Sequence, residues 1–321
     1  MASDNTISTS SSYIQSFPYS DKLQFESPRV HVPPPLIDYK DGKPSFIVAA
    51  NDFVHASTEF GNPVFLDSLR SCHSLQMIHS MLSWQYEMRR AAQPVLPYLY
   101  LGPSSAARDP VFLKASGITL MVAVRSTKGI QARPAFLNPA SYVANSGIAT
   151  LSFDFDSTFD FVSKLRLIVR EINEHLEQTC PKIPLECVSD IGGKVLIFCE
   201  SGNNRSPVLV AGYLMIIYGI SAFSAIQVIQ SQRFCITLSN DLKNVLLDLQ
   251  YILEAQRAVS ATRTSSVEVP GLLGQGSRSS QCTKRNIDDM DTSDEEMGAD
   301  PPGNDNWSIR EGVAPFADPI V

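Results

Sequence analysis

The sequence lacks the segments that would carry a chain into or across a membrane. Its 321 residues contain no uninterrupted apolar stretch of about eighteen residues, the length that a membrane-spanning helix needs. The most apolar segment, Val208 to Tyr218, is too short, and the N-terminus does not show the pattern of a secretory signal. Because the six cysteines occur without such a signal, we expect a cytoplasmic or nuclear protein in a reducing environment, with no membrane partner.

The sequence also lacks the features that are typical of nucleic-acid binding and of metal binding. The chain has 26 lysines and arginines against 33 aspartates and glutamates, and no basic stripe with interleaved aromatic residues, so we expect no nucleic-acid partner. Cys180 and Cys187 have no second cysteine or histidine pair beside them, which disfavours a metal site or a disulfide. We therefore predict that the protein uses no metal and no cofactor.

The most informative feature present is a cysteine and an arginine at the two ends of a short loop. Residues 195–206 contain an apolar run, a loop and the start of a second apolar run, which predicts a buried strand, a tight turn and a helix. In such a loop successive backbone N–H groups turn inward and bind an anion together with the positive end of the helix dipole. The predicted phosphate ligands are Glu200, Ser201, Gly202, Asn203, Asn204 and Arg205.

The residue types of this loop suit phosphoryl transfer. Cys199 would lie at the floor as a thiolate nucleophile, and Arg205 would hold two phosphate oxygens with its planar fork. Gly202 allows the sharp turn, and Ser206 can donate a hydrogen bond to the sulfur. A buried structural cysteine near a surface arginine is the alternative. A rhodanese-type sulfur-transfer loop is disfavoured, because two residues rather than one separate Gly202 from Arg205.

The distribution of periodic apolar segments indicates one folded domain between two tails. We predict a largely disordered or extended region at residues 1–80, an α/β domain at residues 81–258 and a disordered acidic tail at residues 259–321. Within the domain, we predict a surface loop at residues 178–193. The predicted strands are 96–101, 120–124, 149–153 and 194–198, and the predicted helices include 159–177, 208–218 and 241–255.

These motifs resemble the dual-specificity branch of the protein tyrosine phosphatase superfamily, whose signature is His-Cys-x5-Arg-Ser/Thr. The likeness covers about residues 84–258, and residues 84–90, 101–106 and 232–236 are similar more narrowly to the serine/threonine/tyrosine-interacting (STYX-like) pseudophosphatases. The resemblance implies a single phosphatase-type domain with a central, mostly parallel sheet flanked by helices. Because such domains usually cross the gap before the central strand in a few residues, it also implies that residues 178–193 are an insertion. It also implies phosphorylated proteins as partners, with MAP kinases or ubiquitin-ligase adaptors among them.

The chain differs from the phosphatase pattern at the positions of the catalytic residues and beside the nucleophile. Phe198 stands where the resemblance places a histidine that orients the loop and lowers the pKa of the nucleophilic thiol. Phe155 falls at the position of the general acid, and the flanking Asp154 and Asp156 are the catalytic candidates. Asp156 is equally suited to cap the helix that follows. Glu200 would oppose both thiolate and phosphate unless its side chain pointed to solvent.

Two functions remain open from the sequence. The first is a STYX-like domain that captures phosphorylated Ser, Thr or Tyr side chains with low or absent turnover, and both Phe198 and the displaced acid favour it. The second is a working dual-specificity phosphatase. In that mechanism Cys199 attacks phosphorus, Arg205 stabilises the oxygens, an aspartate protonates the leaving group and water hydrolyses the phosphocysteine.

Overall fold

The computed structural model describes residues 29–35, 37–40, 42–48, 58–73, 75–78, 83–143 and 146–265. All of them belong to the first of the two units into which the chain divides, Met1–Glu268. The disorder predicted for residues 1–28 and 266–321 lies outside the described residues. The strands are β1 (Asp38–Lys40), β2 (Lys43–Ile47), β3 (Gln76–Ile78), β4 (Gln93–Leu96), β5 (Leu99–Pro103), β6 (Leu120–Arg125), β7 (Ala149–Asp154) and β8 (Val195–Cys199). The helices are α1 (Pro63–Cys72), α2 (Ser104–Ala107), α3 (Pro110–Ser116), α4 (Thr127–Ala132), α5 (Thr158–Gln178), α6 (Arg205–Tyr218), α7 (Ala222–Gln232) and α8 (Asn240–Ser265).

A five-stranded sheet organises the domain, in the order β4-β5-β8-β6-β7. Strand β4 runs antiparallel to β5, while β5, β8, β6 and β7 run parallel to one another. This confirms the predicted α/β class with a central, mostly parallel sheet flanked by helices. Because parallel strands end at the same edge of a sheet, the segments that follow β5, β6, β7 and β8 gather there. Any site built from these segments lies at that edge.

The central strand β8 is buried on both faces, which explains its continuous apolar sequence. Val195, Ile197 and Cys199 belong to the main hydrophobic core, whereas Leu196 and Phe198 belong to a second cluster. Helix α6 follows β8 and is buried from Ser206 to Tyr218. Among the described helices none is long and apolar enough to span a membrane alone, and α6 and α7 meet that test only together, as a pair bent by 120°.

The long helices agree with the periodicity of the sequence. Helix α5 buries one face, including Leu165, Ile172 and Leu176, at the predicted three- and four-residue steps. Helix α6 ends at Gly219, which has a positive φ of 67° and so adopts the left-handed conformation that ends many helices. Helix α8 continues to Ser265, past the predicted domain end at residue 258.

One predicted strand is wrong. Residues 96–101 were expected to form a single strand, but β4 ends at Leu96 and β5 begins at Leu99, so the segment contains the turn of a β-hairpin. Pro97 explains the break, because proline cannot donate a hydrogen bond within a sheet. The turn residue Tyr98 is buried, and its hydroxyl lies 3.2 Å from that of Tyr218.

Helix α1 is an element that the pattern analysis missed within the region predicted as disordered or extended. Asn62 caps it by accepting a hydrogen bond from Val64 N at 3.1 Å, and Phe65, Leu66 and Leu69 are fully buried in the main core. The signal was an Asn-Pro pair followed by apolar residues at helical spacing. Residues 38–40, 43–47 and 76–78 are extended, as β1, β2 and β3 of a small antiparallel sheet.

The 178–193 insertion is a loop with a short 3₁₀ turn at Val188–Asp190. It is held at two points, because Leu185 and Ile191 lie in the main core and are only 6% and 7% exposed. Cys72 Sγ also donates to Leu185 O at 3.3 Å. The insertion is therefore more closely attached to the domain than the surface loop predicted from the sequence.

Candidate active site

The loop between β8 and α6 curls around the sulfur of Cys199. That residue ends the central strand and is 4% exposed. Its Sγ accepts hydrogen bonds from Gly202 N at 3.2 Å and from Ser206 Oγ at 3.1 Å, so Ser206 lies where the sequence predicted it. The residues between Cys199 and Arg205 thus form a concave loop with a sulfur at its floor.

Gly202 makes the turn possible. Its φ is +74°, and a Cβ at this position would lie 2.5 Å from the carbonyl carbon of Gly102, at the end of β5. No other residue fits there, because both the conformation and the space exclude a side chain. The same end of β5 fixes the loop's entry, since Ser104 N and Oγ donate to Glu200 O at 3.2 and 3.3 Å.

The remaining predicted loop ligands differ in exposure. Glu200, Ser201 and Asn204 are exposed, whereas Asn203 is half-buried. Ser201 Oγ accepts a hydrogen bond from Asn203 N at 3.2 Å, and Asn203 O accepts one from Thr237 N at 2.9 Å. The exposed Glu200 is solvated, which weakens the repulsion that its charge would exert on an anion in the loop.

Arg205 joins the phosphate loop to the segment after β7. It is the first residue of α6, and its guanidinium donates to Phe155 O and, at 3.1 Å, to Asp156 Oδ1. The guanidinium carbon lies 5.2 Å from the centroid of the Phe155 ring. These contacts orient the arginine and leave further N–H groups of the same guanidinium for an oxyanion.

Asp156 has both carboxylate oxygens engaged. Oδ1 accepts from Ser126 Oγ at 2.6 Å as well as from Arg205, and Oδ2 accepts from Lys128 N at 2.8 Å. Burial acts to raise the pKa of Asp156, but the hydrogen bonds from Ser126 and Lys128 and the charge of Arg205 outweigh it and hold the pKa below its usual value. Asp156 is therefore ionised at neutral pH and links three segments at this edge of the sheet.

The alternative role considered for Asp156 is wrong. Helix α5 is capped by Ser157, whose Oγ accepts a hydrogen bond from Asp160 N at 3.1 Å. Asp156 instead supports the start of α4, where Ser126 is the capping residue. The hydrogen bonds of Asp156 therefore fix its position beside α4. A catalytic role for Asp156 stays a prediction.

Asp154 is held in a different ion pair. Arg125 donates from Nε and Nη2 to its two carboxylate oxygens, each at 2.8 Å, across the adjacent strands β6 and β7. Between the two aspartates, Phe155 is buried and packs its ring against Phe153 and Phe161. The catalytic candidate Asp154 is therefore also bound to an arginine, and the residue at the acid's expected position is part of the core.

Phe198 lies on the opposite face of the sheet from the thiol. It is fully buried in the second cluster, with its ring centroid 6.1 Å from that of Tyr142. Side chains alternate across a strand, so the residue before Cys199 points away from the concave side of the loop. Phe198 consequently stabilises the fold and brings no charge or hydrogen bond to the site.

The sequence analysis missed a buried arginine behind the loop. Arg233, at the end of α7, is fully buried and donates to Ser201 O at 3.2 Å and to Gly202 O at 3.1 Å. Its segment was noted only as part of a family likeness, because a single arginine beside the exposed Phe234 gives no sign of burial. A second missed feature is a cavity of about 400 Å³ beside Arg205, lined also by Asn204, Asp241 and Leu242.

Replacing Asp156 by asparagine should destabilise the protein in a pH-dependent way. Because the folded-state pKa of Asp156 is lowered, its contribution is complete above the unfolded-state value of about 3.9 and disappears as the pH falls through the folded-state value. We expect the free energy of unfolding to fall by about 1–3 kcal/mol at pH 7, as for hydrogen bonds to charged groups. Urea unfolding of wild type and Asp156→Asn from pH 7 to pH 3 measures this. A difference that stays constant or grows toward low pH would contradict the assignment.

A parallel strand that ends in a cysteine, a loop whose amide donates to that sulfur and an arginine that opens the next helix define a phosphatase-type domain of the cysteine-dependent class. The comparisons with known proteins give the same class. Residues 99–252 match the family described as dual specificity phosphatase, catalytic domain.

Individual proteins similar to this chain identify the branch of the phosphatase superfamily. The chain is 30% identical over 213 residues to serine/threonine/tyrosine-interacting protein B of Xenopus laevis, which covers 65% of this chain and 85% of the relative. It is 31% identical over 153 residues to human dual specificity phosphatase 28, covering 45% of this chain and 73% of the relative. The crystal structure of the human tyrosine phosphatase-like serine/threonine/tyrosine-interacting protein matches with 25% identity and a TM-score of 0.40, over 51% of this chain and 98% of that one. The chain belongs to the dual-specificity branch of the protein tyrosine phosphatase superfamily and is STYX-like, as its motifs indicated.

Proposed function

We propose that this protein binds phosphorylated side chains of other proteins in the 199–205 loop and hydrolyses them slowly or not at all. The observation that carries the proposal is the state of the two aspartates. Asp156 and Asp154 are both held by arginines, and Asp156 is kept ionised by its surroundings. The loop itself retains the groups that bind an anion.

The case for binding depends on the geometry of the loop. Gly202 N points at the sulfur, Ser206 is fully buried behind it, and Arg205 opens the adjacent helix. Backbone amides at a helix start, together with an arginine, make a strong phosphate site without any metal or cofactor. The cavity beside Arg205 has room for residues that flank a phosphorylated side chain.

The case against efficient turnover depends on the missing proton donor. A general acid must carry its proton at the working pH and contributes roughly two to four powers of ten to the rate. Both oxygens of Asp156 already accept hydrogen bonds, and these lower its pKa and so oppose protonation, while the bidentate pair with Arg125 occupies Asp154. An alkoxide or phenoxide would therefore have to leave without protonation by either group.

An active dual-specificity phosphatase is the second candidate, and the intact Cys199 favours it. In that reaction the thiolate forms a bond to phosphorus as the ester P–O bond breaks, and the leaving oxygen takes a proton from an aspartic acid. Water then attacks the phosphocysteine, releasing phosphate and the thiolate. The two hydrogen bonds to Cys199 Sγ would support the first step. The two candidate functions therefore differ in whether an aspartic acid can protonate the leaving oxygen.

The partners remain at the level of chemical class. Phosphorylated proteins follow from the loop chemistry, whereas MAP kinases, ubiquitin-ligase adaptors and a cytoplasmic or nuclear location are proposals taken from the family resemblance.

The proposal is tested by measuring binding and hydrolysis on the same preparation. Calorimetry with orthovanadate and with a phosphotyrosine peptide should show saturable binding, while hydrolysis of an aryl phosphate stays near the level of a Cys199→Ser control. Phe198→His should not restore turnover, because its side chain lies on the far face of the sheet and the acid is still missing. Rapid hydrolysis that Cys199→Ser abolishes would support the active phosphatase instead, and a lack of binding to either ligand would remove both candidates.

A further inference from the structure

We propose that Arg233 is the positioning residue of the phosphate loop: its buried guanidinium orients the loop peptides and places a positive charge behind them. This inference rests on the proposed phosphate-binding function and adds to it a residue outside the loop. Arg233 lies at the end of α7, about thirty residues further along the chain than the loop it contacts.

One peptide unit shows how the orientation works. Ser201 O accepts a hydrogen bond from Arg233 Nη2 at 3.2 Å, and the N–H of the same peptide, on Gly202, donates to Cys199 Sγ at 3.2 Å. In a trans peptide the carbonyl and the N–H point in opposite directions. By holding the carbonyl outward, Arg233 therefore turns the amide inward, toward the place where the sulfur and an anion lie.

The rest of the loop is held in the same way. Arg233 Nε donates to Gly202 O at 3.1 Å, and Nη2 donates to Asn203 Oδ1 at 3.0 Å. Cys235 Sγ donates to the same Asn203 oxygen at 3.2 Å. Three consecutive loop residues thus have an oxygen directed at one guanidinium.

The opposite side of the guanidinium is fixed by the segment before β5. Arg233 Nη2 donates to Arg89 O at 2.8 Å, and Nη1 donates to Ala91 O at 2.8 Å and to Gln93 Oε1. The Gln93 amide is oriented in turn, because its Nε2 donates to Met88 O at 2.7 Å. Since the arginine is held on both sides, its position relative to the loop is set by the fold and does not depend on a bound ligand.

The hydrogen bonds that Arg233 makes within the described residues all go to neutral oxygens. Its hydrogen-bond partners are backbone carbonyls and side-chain amides, and no carboxylate within the described part of the chain forms an ion pair with it. Burial lowers the pKa of Arg233, yet a guanidinium stays protonated in proteins. A buried cation without a counter-ion favours a negative charge nearby. The thiols of Cys235 and Cys199 both lie within reach of this charge, and a phosphate bound above Cys199 would also experience it.

The charged and titratable groups around the sulfur come from four segments. They are Arg233 and Cys235 after α7, the exposed Glu200 in the loop, Arg205 at the start of α6 and Asp156 after β7. Arg205 is paired with Asp156, so the two largely neutralise each other. Arg233 is the member of this set whose charge is both buried and without an acidic partner among the described residues.

The test compares Arg233→Met and Arg233→Lys with the wild type. Calorimetry with orthovanadate measures anion affinity, and mass spectrometry of the Cys199 peptide after iodoacetamide labelling at pH 5 to pH 10 measures the apparent pKa of the thiol. We expect Arg233→Met to bind vanadate about tenfold or more weakly and to move the alkylation profile to higher pH, since a lost charge-assisted contact is worth about a factor of ten. Arg233→Lys should retain most of the alkylation profile and lose part of the affinity, because it keeps the charge but not the fork.

Arg257→Met is the control, because Arg257 is half-buried and, like Arg233, donates to a backbone carbonyl, here Met215 O on α6 at 3.1 Å. It should lower stability without changing vanadate affinity or alkylation. If Arg233→Met does not fold, the lysine variant decides the question. A folded Arg233→Lys or Arg233→Met with wild-type affinity and a wild-type alkylation profile would overturn the inference. A wild type that fails to bind vanadate would instead remove the proposed function.

Discussion

Gly202→Ala is expected to abolish vanadate binding and to lower the free energy of unfolding by several kcal/mol. A left-handed conformation costs an L-residue about 1–2 kcal/mol. The added Cβ would also lie 2.5–2.7 Å from Gly102 C, Gly102 O and Pro103 N, which are backbone atoms that cannot move aside cheaply. Relief requires the loop to move away from β5, so Gly202 N would no longer point at the sulfur. Calorimetry with vanadate and urea unfolding measure the two effects.

Gly117→Ala separates the clash from the backbone strain. Gly117 ends α3 with a φ of +69°, close to that of Gly202, but an added Cβ there would meet nothing within 4 Å. This control should lose only about 1 kcal/mol, the usual cost of replacing a left-handed glycine, and keep its vanadate affinity. Equal losses of stability in the two variants, or vanadate binding by folded Gly202→Ala, would contradict the close contact between the loop and β5.

Arg205→Met should weaken vanadate binding by about a hundredfold or more. A bidentate arginine gives an oxyanion two charge-assisted hydrogen bonds, each worth about 1.5–3 kcal/mol. The substitution also removes the contacts of the guanidinium with Phe155 O and Asp156, so the segment after β7 loses its link to the loop. Arg170→Met is the control, since Arg170 forms an exposed pair with Glu174 on α5. It should change neither binding nor, by more than about 0.5 kcal/mol, stability.

Arg205→Lys distinguishes the charge from the shape of the side chain. Lysine keeps one positive charge but cannot hold two oxygens in a plane while also contacting Phe155 O. We expect the lysine variant to lie between methionine and the wild type in affinity. Wild-type affinity in Arg205→Lys would show that the fork plays no part in recognising the anion.

Local patterns were enough to predict most of the central fold. The sequence predicts three of the four parallel strands, β6, β7 and β8, from their short apolar segments. It also predicts α5 and α8 from their three- and four-residue repeats, because both signals come from residues close together in the chain. The hairpin at Pro97 and helix α1 were missed although each had a local signal, a proline in an apolar run and an Asn-Pro pair. Both signals are short, because each consists of only one or two residues.

The site residues that lie close together in the sequence could be predicted, whereas contacts between residues far apart in the sequence could not. Cys199, Gly202, Arg205 and Ser206 lie close together in the sequence, so their spacing alone indicates an anion site. The partners that decide how the aspartates behave are distant: Ser126 lies 30 residues from Asp156, and Arg125 lies 29 residues from Asp154. Arg233 contacts Gln93 across 140 residues. Contacts of that range depend on the order of the strands in the sheet, which a single sequence does not supply.

The most direct test of the central claim is the dependence of hydrolysis on Asp156 and on the leaving group. Turnover of two aryl phosphates, one with a good and one with a poor leaving group, is compared between the wild type and Asp156→Asn, with vanadate affinity measured on both. If Asp156 serves structure and not proton transfer, the wild type binds vanadate but hydrolyses the poor leaving group hardly at all, and the substitution affects the two substrates equally. Brisk wild-type hydrolysis of both substrates, with a loss of about a hundredfold in Asp156→Asn that falls mainly on the poor leaving group, would identify Asp156 as a general acid and contradict the account.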